Sequence, residues 1–187
     1  MVYPNRNIEY RYLVVKAMHN YAEIQIRRAE LSEVDAIKDI LREAYKPIKK
    51  ELSRMPGALK EGMDKIARHI QMGNQYVALI GNEIAGTMRI GMRGQVGVVS
   101  RMAVREKFRN RRIGTIMVEY ADNLLDHQNA TCIEIEVYGS IDYQADYYDR
   151  MGFSEVERKE RAGEEIIVMR KDLCEEEEIP EEDEFRI

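Results

Sequence analysis

The chain has 187 residues, of which 44% are hydrophobic and 34% are charged, and its formal net charge is −5. This length and composition are typical of one globular domain with a sizeable core. No apolar run approaches the roughly 18 residues that a membrane helix needs. The sequence therefore predicts a cytoplasmic protein with no membrane partner.

The charge is unevenly distributed along the chain. Residues 174–187 contain eight acids and one arginine, so this segment carries −7 and the remainder about +2. A short segment of this composition is expected to be solvated and disordered. We therefore predict an N-terminal extension at 1–23, a folded domain at 24–172 and an acidic tail at 173–187.

Hydrophobic periodicity predicts the secondary structure in chain order. Ser32 is the expected N-cap of the first helix, and Gly91, Gly94 and Gly97 are expected in a turn. The predicted helices cover about 32–44, 59–70, 113–128 and 142–151. The predicted strands cover 24–28, 76–80, 83–90, 98–104, 132–137, 153–158 and 166–170. The order is thus β-α-α-β-β-β-α-β-α-β-β.

The segment from Val98 to Thr115 carries the most functional information, because a buried strand leads through a cationic loop into a helix. Six Lys or Arg residues lie between Arg101 and Arg112, against one acid, Glu106. A helix start offers unpaired N–H groups and a positive dipole end, so basic residues beside it favour phosphate or pyrophosphate binding. The helix keeps one apolar face, formed by Ile113, Ile116, Met117, Tyr120, Ala121 and Leu124.

Two motifs resemble a known family. Arg109 and Gly114 fill the first and last positions of the pattern Arg/Gln-x-x-Gly-x-Gly/Ala, which is the acyl-CoA pyrophosphate loop of the GCN5-related N-acetyltransferases (GNAT). Residues 147–153, Tyr-Tyr-Asp-Arg-Met-Gly-Phe, are similar to the family's late Tyr-x-x-x-Gly-Phe signature. Arg112 stands where the first glycine is usual, so we expect it to have a negative φ.

The resemblance implies an α/β fold with a central twisted, mostly antiparallel sheet, a splayed strand pair and about four flanking helices. It also implies acetyl-CoA as the cosubstrate, no metal, and an acetyl group transferred to a primary amine by direct attack in a ternary complex. The amine is a small molecule, a polyamine or a protein amine. The implied cofactor-binding residues are Met102, Ala103 and Val104 on the strand, and Arg109, Asn110, Arg111, Arg112, Ile113, Gly114 and Thr115 in the loop.

Tyr148 is the candidate catalytic acid. The leaving thiolate needs a proton, and a phenol with a pKa near ~10 is reasonably matched to a thiol near ~8.5. The general base is less evident, because many family members have a glutamate where this chain has Ser100, and a serine cannot easily deprotonate an ammonium group. The candidate bases, acting through water, are Glu43, Glu134 and Glu136. The candidates for the amine pocket are Tyr45, Met55 and Tyr76.

Two other functions remain open. A non-catalytic acyl-CoA-binding regulatory module is favoured by the missing glutamate. A nucleic-acid-binding domain would use the basic loop, but few aromatic residues are interleaved with the charges and the acidic tail opposes it. No cysteine is placed for a covalent acetyl intermediate. The sequence leaves open whether the protein forms a homodimer.

Overall fold

The computed structural model of the chain describes residues 24–173. The predicted extension at 1–23 and the acidic residues 174–187 lie outside the described residues. Between residues 24 and 173, no helix is long and apolar enough to cross a membrane.

The described part of the chain contains seven strands and four helices in the predicted order. The helices are α1 (Val34–Tyr45), α2 (Met63–Gln71), α3 (Ile113–Asp126) and α4 (Asp142–Asp149). The strands are β1 (Ile24–Arg28), β2 (Gln75–Ile80), β3 (Glu83–Arg93), β4 (Val96–Val104), β5 (Cys132–Tyr138), β6 (Ser154–Arg161) and β7 (Glu164–Asp172).

All seven strands form one sheet in the order β1-β2-β3-β4-β5-β7-β6. Every neighbouring pair is antiparallel except β4 and β5, which are parallel. The β4–β5 pairing covers only Val96–Val98 against Cys132–Glu134, and beyond it the two strands separate. The mixed, mostly antiparallel sheet with a splayed strand pair is therefore confirmed.

The core lies on both faces of the sheet. Along β2, Tyr76 and Ala78 contact the cluster under α3, whereas Val77 and Leu79 contact the cluster under α1 and α2. This division follows from the strand's period of two, which sends successive side chains to opposite faces. Because helices cover both faces, the opening between β4 and β5 becomes the main interruption of the sheet.

Two local predictions were wrong. The first helical turn begins with a capping box between Glu30 and Glu33, not with Ser32, and the Glu33 carboxylate accepts the Glu30 N–H at 2.7 Å. Gly91 and Gly97 lie inside β3 and β4, and only Gly94 occupies the turn, with φ +63°. Gly97 is explained by packing, because a Cβ there would lie 2.6 Å from a Leu125 methyl carbon.

Candidate active site

A bulge in β4 begins the opening between β4 and β5. Thr87 pairs with Ala103 and Arg89 pairs with Ser100, so one residue of β3 faces two residues of β4. Arg101 occupies this bulge with φ +53°. A bulge bends its strand and redirects its side chains, which turns the end of β4 away from β5.

On the β5 side of the opening, a backbone donor is used by a side chain and not by β4. The N–H of Tyr138 donates to Oε1 of Gln144, in α4, at 3.2 Å. The facing backbone edges of β4 and β5 beyond Glu134 therefore remain without a strand partner. An open strand edge of this kind can accept an extended ligand as though it were an added strand.

Two cavities meet at this opening. The larger, about 770 Å³, extends towards the start of α3, and we call it the α3-side cavity. The smaller, about 400 Å³, extends towards residues 54–60 and the β6–β7 turn, and we call it the hairpin-side cavity. The seven residues that line both are Tyr45, Val99, Ser100, Arg101, Glu136, Val137 and Tyr138.

The start of α3 presents a row of unpaired backbone donors to the α3-side cavity. Within residues 24–173, the N–H groups of residues 110–115 have no protein acceptor, and the first bond of the helix is from Ile116 N–H to Arg112 O, at 3.0 Å. Asn110 and Arg112 have left-handed backbones, with φ +61° and +59°. Alternating backbone conformations make successive N–H groups converge on an anion.

The negative φ predicted for Arg112 was wrong. Arg112 adopts the conformation that glycine would adopt, at the N-cap of α3 and without a side-chain capping bond. An L-residue pays roughly 1–2 kcal/mol in this region. The loop thus keeps the tight turn that glycine usually makes at this position, and the Arg112 side chain adds a positive charge.

Nine of the ten predicted cofactor-binding residues line the α3-side cavity. The tenth, Arg111, does not line it, and its guanidinium lies over the Phe108 ring, 5.6 Å from the centroid. The cavity lining contains four basic side chains and one acidic one, which suits an anionic ligand. These are Arg101, Arg109, Arg112, Arg150 and Glu136.

Tyr147 closes against the helix start. A Cβ added at Gly114 would collide with the Tyr147 hydroxyl, and the Tyr147 Cζ would lie 3.4 Å from it. Burial raises the pKa of Tyr147, and this effect outweighs a hydrogen bond with the Thr115 side chain, which lowers the pKa. Gly114 is therefore needed to accommodate Tyr147, and the Thr115 hydroxyl already has a partner.

Tyr148 lies deeper in the same cavity. Its ring packs edge-on against Tyr147 and Phe153, with centroid distances of 5.1 and 5.7 Å. Burial raises the pKa of Tyr148, and the neighbouring Tyr45 phenol raises it further. Burial likewise raises the pKa of Tyr45 to about 12. Like an ordinary phenol, both therefore carry their proton at physiological pH, and the raised pKa makes Tyr148 a weaker acid than a free phenol.

The three candidate bases are all held by other groups. Glu43 lines neither cavity, accepting instead the Glu106 N–H and pairing with Arg105. Glu134 binds Arg93 and Arg170, and Glu136 binds Arg161 and Lys159.

Their ion pairs affect basicity. The hydrogen bond from Arg170 is the main reason why the pKa of Glu134 is lowered. Burial raises the pKa of Glu136, but the bonds from Arg161 and Lys159 outweigh it and leave that pKa lowered. Both carboxylates are thus weak bases.

The structure divides the three residues predicted for the amine pocket. Tyr45 and Met55 line the hairpin-side cavity. Tyr76 is buried in the core, with its ring 5.8 Å from that of Tyr120, so its prediction was wrong. The strand pattern places Tyr76 on the α3 face of the sheet, away from the opening.

Sequence reasoning missed a buried ion network under the opening. Glu61, whose side chain has no exposed surface, accepts Arg89 Nη2 and Arg101 Nε, each at 2.6 Å. Gln75 also binds Arg89, at 3.0 and 3.1 Å. Burial raises the pKa of Glu61, but the two arginines outweigh it and the pKa is lowered. The network fixes the bulge residue Arg101, and its members are too far apart in sequence for a local pattern to connect them.

A polar bridge closes one side of the hairpin-side cavity. The Ser53 hydroxyl donates to Gly163 O at 3.2 Å and to Glu164 Oε1 at 2.7 Å, and the Arg54 N–H donates to the same carboxylate at 2.8 Å. The segment before α2 therefore contacts the β6–β7 turn across the cavity. Within residues 24–173, no group of His, Cys, Asp and Glu side chains is arranged to hold a metal ion.

Comparison with known proteins agrees with this architecture. The Acetyltransferase (GNAT) family profile matches residues 34–153, which include the opening, the α3 start and Tyr148. The chain therefore belongs to the GNAT acetyltransferase family, whose members are acyltransferases that use coenzyme A thioesters. No curated protein was found to match the chain by sequence.

Three solved structures show the same fold at low identity. PaiA N-acetyltransferase from Thermoplasma acidophilum, in complex with coenzyme A, has a TM-score of 0.70 at 13% identity, covering 80% of this chain and 98% of that chain. The ribosomal-protein-S18-alanine N-acetyltransferase of Escherichia coli has 0.67 at 15%, covering 83% and 97%. Ard1 from Thermoplasma volcanium has 0.65 at 16%, covering 83% and 100%.

Proposed function

We propose that the protein transfers an acetyl group from acetyl-CoA to a primary amine, by direct attack within a ternary complex. The observation that carries this proposal is the position of the β4–β5 opening, where the two cavities meet and are lined by the same seven residues. An acyl donor in one cavity and an amine in the other would meet there. The names of two structural neighbours, both N-acetyltransferases, support the choice of an amine acceptor.

The α3-side cavity fits the phosphates of acetyl-CoA. Five residues of the loop line this cavity and, within residues 24–173, have backbone N–H groups without an acceptor: Asn110, Arg112, Ile113, Gly114 and Thr115. These N–H groups would hold the pyrophosphate, with the side chains of Arg109 and Arg112 beside them. Charged phosphate oxygens form short, strong bonds with such donors. The open edge of β4 at Met102–Val104 would pair with the pantetheine arm.

Bound acetyl-CoA supplies the activated thioester. An N–H group on the open edge of β4 would donate to its carbonyl oxygen, where negative charge develops during attack. The Tyr148 phenol would give its proton to the leaving sulfur. Burial raises the pKa of a thiol as well, which favours that transfer.

The test is thiol release from acetyl-CoA by the full-length chain with a panel of amines. We expect release only when an amine is present, and initial-rate patterns that intersect, as they do for a ternary complex. Parallel patterns would indicate a covalent acetyl intermediate and contradict direct attack. Tight coenzyme A binding without turnover on any amine would contradict the proposal and support a regulatory acyl-CoA-binding module.

A further inference from the structure

The hairpin-side cavity has an excess of positive charge. Five basic and three acidic side chains line it: Arg54, Lys60, Arg93, Arg101, Arg161, Glu134, Glu136 and Glu164. Its volume of about 400 Å³ lies within the range of small-ligand pockets. The charge that this cavity presents to an acceptor therefore depends on which of these side chains are already paired.

The acidic side chains are all occupied. Glu134 and Glu136 each bind two basic side chains, as described above. Glu164 accepts the Ser53 hydroxyl and the Arg54 N–H, and the Ser53 bond is the main reason why the pKa of Glu164 is lowered. Glu134 and Glu136 are thus neutralised by ion pairs, and the lowered pKa of all three carboxylates makes each of them a weak base.

Several basic groups in the lining remain available. Among residues 24–173, no carboxylate lies within salt-bridge distance of Arg54 or Lys60, although the charge of Arg54 contributes to lowering the pKa of the nearby Glu164. Arg101 uses its Nε for Glu61, and its two terminal nitrogens have no hydrogen-bond acceptor in the same part of the chain. Three cations therefore face the cavity with free donors, and they would repel a polyamine and attract a carboxylate.

The lack of a free base bears on the amine itself. Only the neutral amine attacks, and at pH 7.5 about a third of an α-amino group with a pKa near 7.8 is neutral. Only about 0.1% of a lysine side chain with a pKa near 10.4 is neutral at that pH. A site without a strong base thus favours an α-amine over a lysine by roughly 300-fold, before any contact is counted.

We propose that the acceptor is the α-amino group of an acidic peptide N-terminus, with carboxylates in its first residues held by Arg54, Lys60 and Arg101. This inference rests on the proposed acetyl transfer, which it narrows to one class of amine.

The experiment compares peptides of equal length at saturating acetyl-CoA. Three begin with serine followed by two glutamates, two glutamines or two side-chain-blocked lysines. Further arms are an N-terminally blocked peptide with one free lysine, spermidine and free glutamate. We expect kcat/KM to be at least tenfold higher for the glutamate peptide than for the glutamine peptide, and to rise with pH through a midpoint near ~7.8 to a plateau above about pH 9.

Charge reversal tests the assigned side chains. Arg54→Glu and Lys60→Glu should each reduce the preference for the glutamate peptide about tenfold. Lys65→Glu is the matched control, because Lys65 is exposed on α2 outside the cavity and should leave the preference unchanged.

The outcomes separate the inference from the proposed function. Preferential acetylation of lysine or spermidine would overturn the inference and leave acetyl transfer intact. A higher kcat/KM for free glutamate than for any peptide would identify an amino acid as the acceptor and overturn the inference that the acceptor is a peptide N-terminus. Coenzyme A binding with no acetylation of any arm would overturn the proposed function, and the inference with it.

Discussion

The two cavities that meet at the β4–β5 opening are built by different means. The α3-side cavity presents backbone N–H groups at the start of α3, whereas the hairpin-side cavity presents charged side chains, only some of which are held by ion pairs. Backbone donors depend on conformation, so that cavity tolerates many side chains but few changes of backbone. Side-chain charges can change without altering the fold. We therefore expect the proposed acyl-donor side to be fixed by the fold and the proposed acceptor side to be adjustable.

The largest expected effect concerns Glu61, which joins the fold to the hairpin-side cavity. Glu61→Gln would leave Arg89 buried with its charge uncompensated, and should lower the free energy of unfolding by about 3 kcal/mol at pH 7. Urea unfolding measures this. Glu119→Gln on the exposed face of α3 is the control and should change stability by less than about 0.5 kcal/mol.

The pH dependence of this difference has a defined sign. Folding lowers the pKa of Glu61, so the stabilisation is present above the unfolded-state pKa of about 4.3 and is lost as the pH falls through the folded-state value. The gap between wild type and Glu61→Gln should therefore narrow in acid. A gap that stays constant to pH 3 would contradict an ion-paired Glu61.

The second prediction tests the proposed proton donor in the α3-side cavity. Tyr148→Phe keeps the ring contacts with Tyr147 and Phe153 but removes the acidic proton, so kcat should fall about 100-fold with acetyl-CoA affinity unchanged. Tyr147→Phe is the control and should reduce kcat far less. If turnover of Tyr148→Phe equals that of wild type, Tyr148 only packs in the core.

The third prediction concerns the α3 start. A methyl group in Gly114→Ala would collide with the Tyr147 hydroxyl, so we expect acetyl-CoA affinity to fall about tenfold, or roughly 1.4 kcal/mol, by calorimetry. Adding Tyr147→Phe removes the colliding atom and should restore most of the affinity. Equal losses in the single and double variants would show that the methyl group itself obstructs the cofactor.

The prediction with the smallest expected effect separates the contribution of the loop backbone to cofactor binding from that of the Arg112 charge. Arg112→Gly relieves a left-handed arginine and should raise the free energy of unfolding by about 1 kcal/mol, while acetyl-CoA affinity falls less than tenfold because the N–H donors remain. Arg111 has no positive φ, so Arg111→Gly should lower stability instead. A large loss of affinity in Arg112→Gly would show that the side-chain charge, not the backbone, dominates cofactor binding.

The order of the elements and the α3 start could be predicted because their signals are local. Period-two and helical stripes identify each element within a few residues, and the basic loop directly precedes its helix. The splayed strand pair and the placement of nine cofactor candidates along one cavity came from the resemblance carried by those same segments.

Other features depend on contacts that no local pattern contains. Glu61 meets Arg89 and Arg101 across 28 and 40 residues, and Ser53 meets Glu164 across 111. The burial of Tyr76 was missed because a strand pattern shows that successive side chains lie on opposite faces of the sheet, but it does not show which face borders the opening. Sequence alone determined the elements and the basic loop that precedes α3, since neighbouring residues decide both. Only the tertiary structure decided which charges are paired, because partners distant in the chain are brought together by packing.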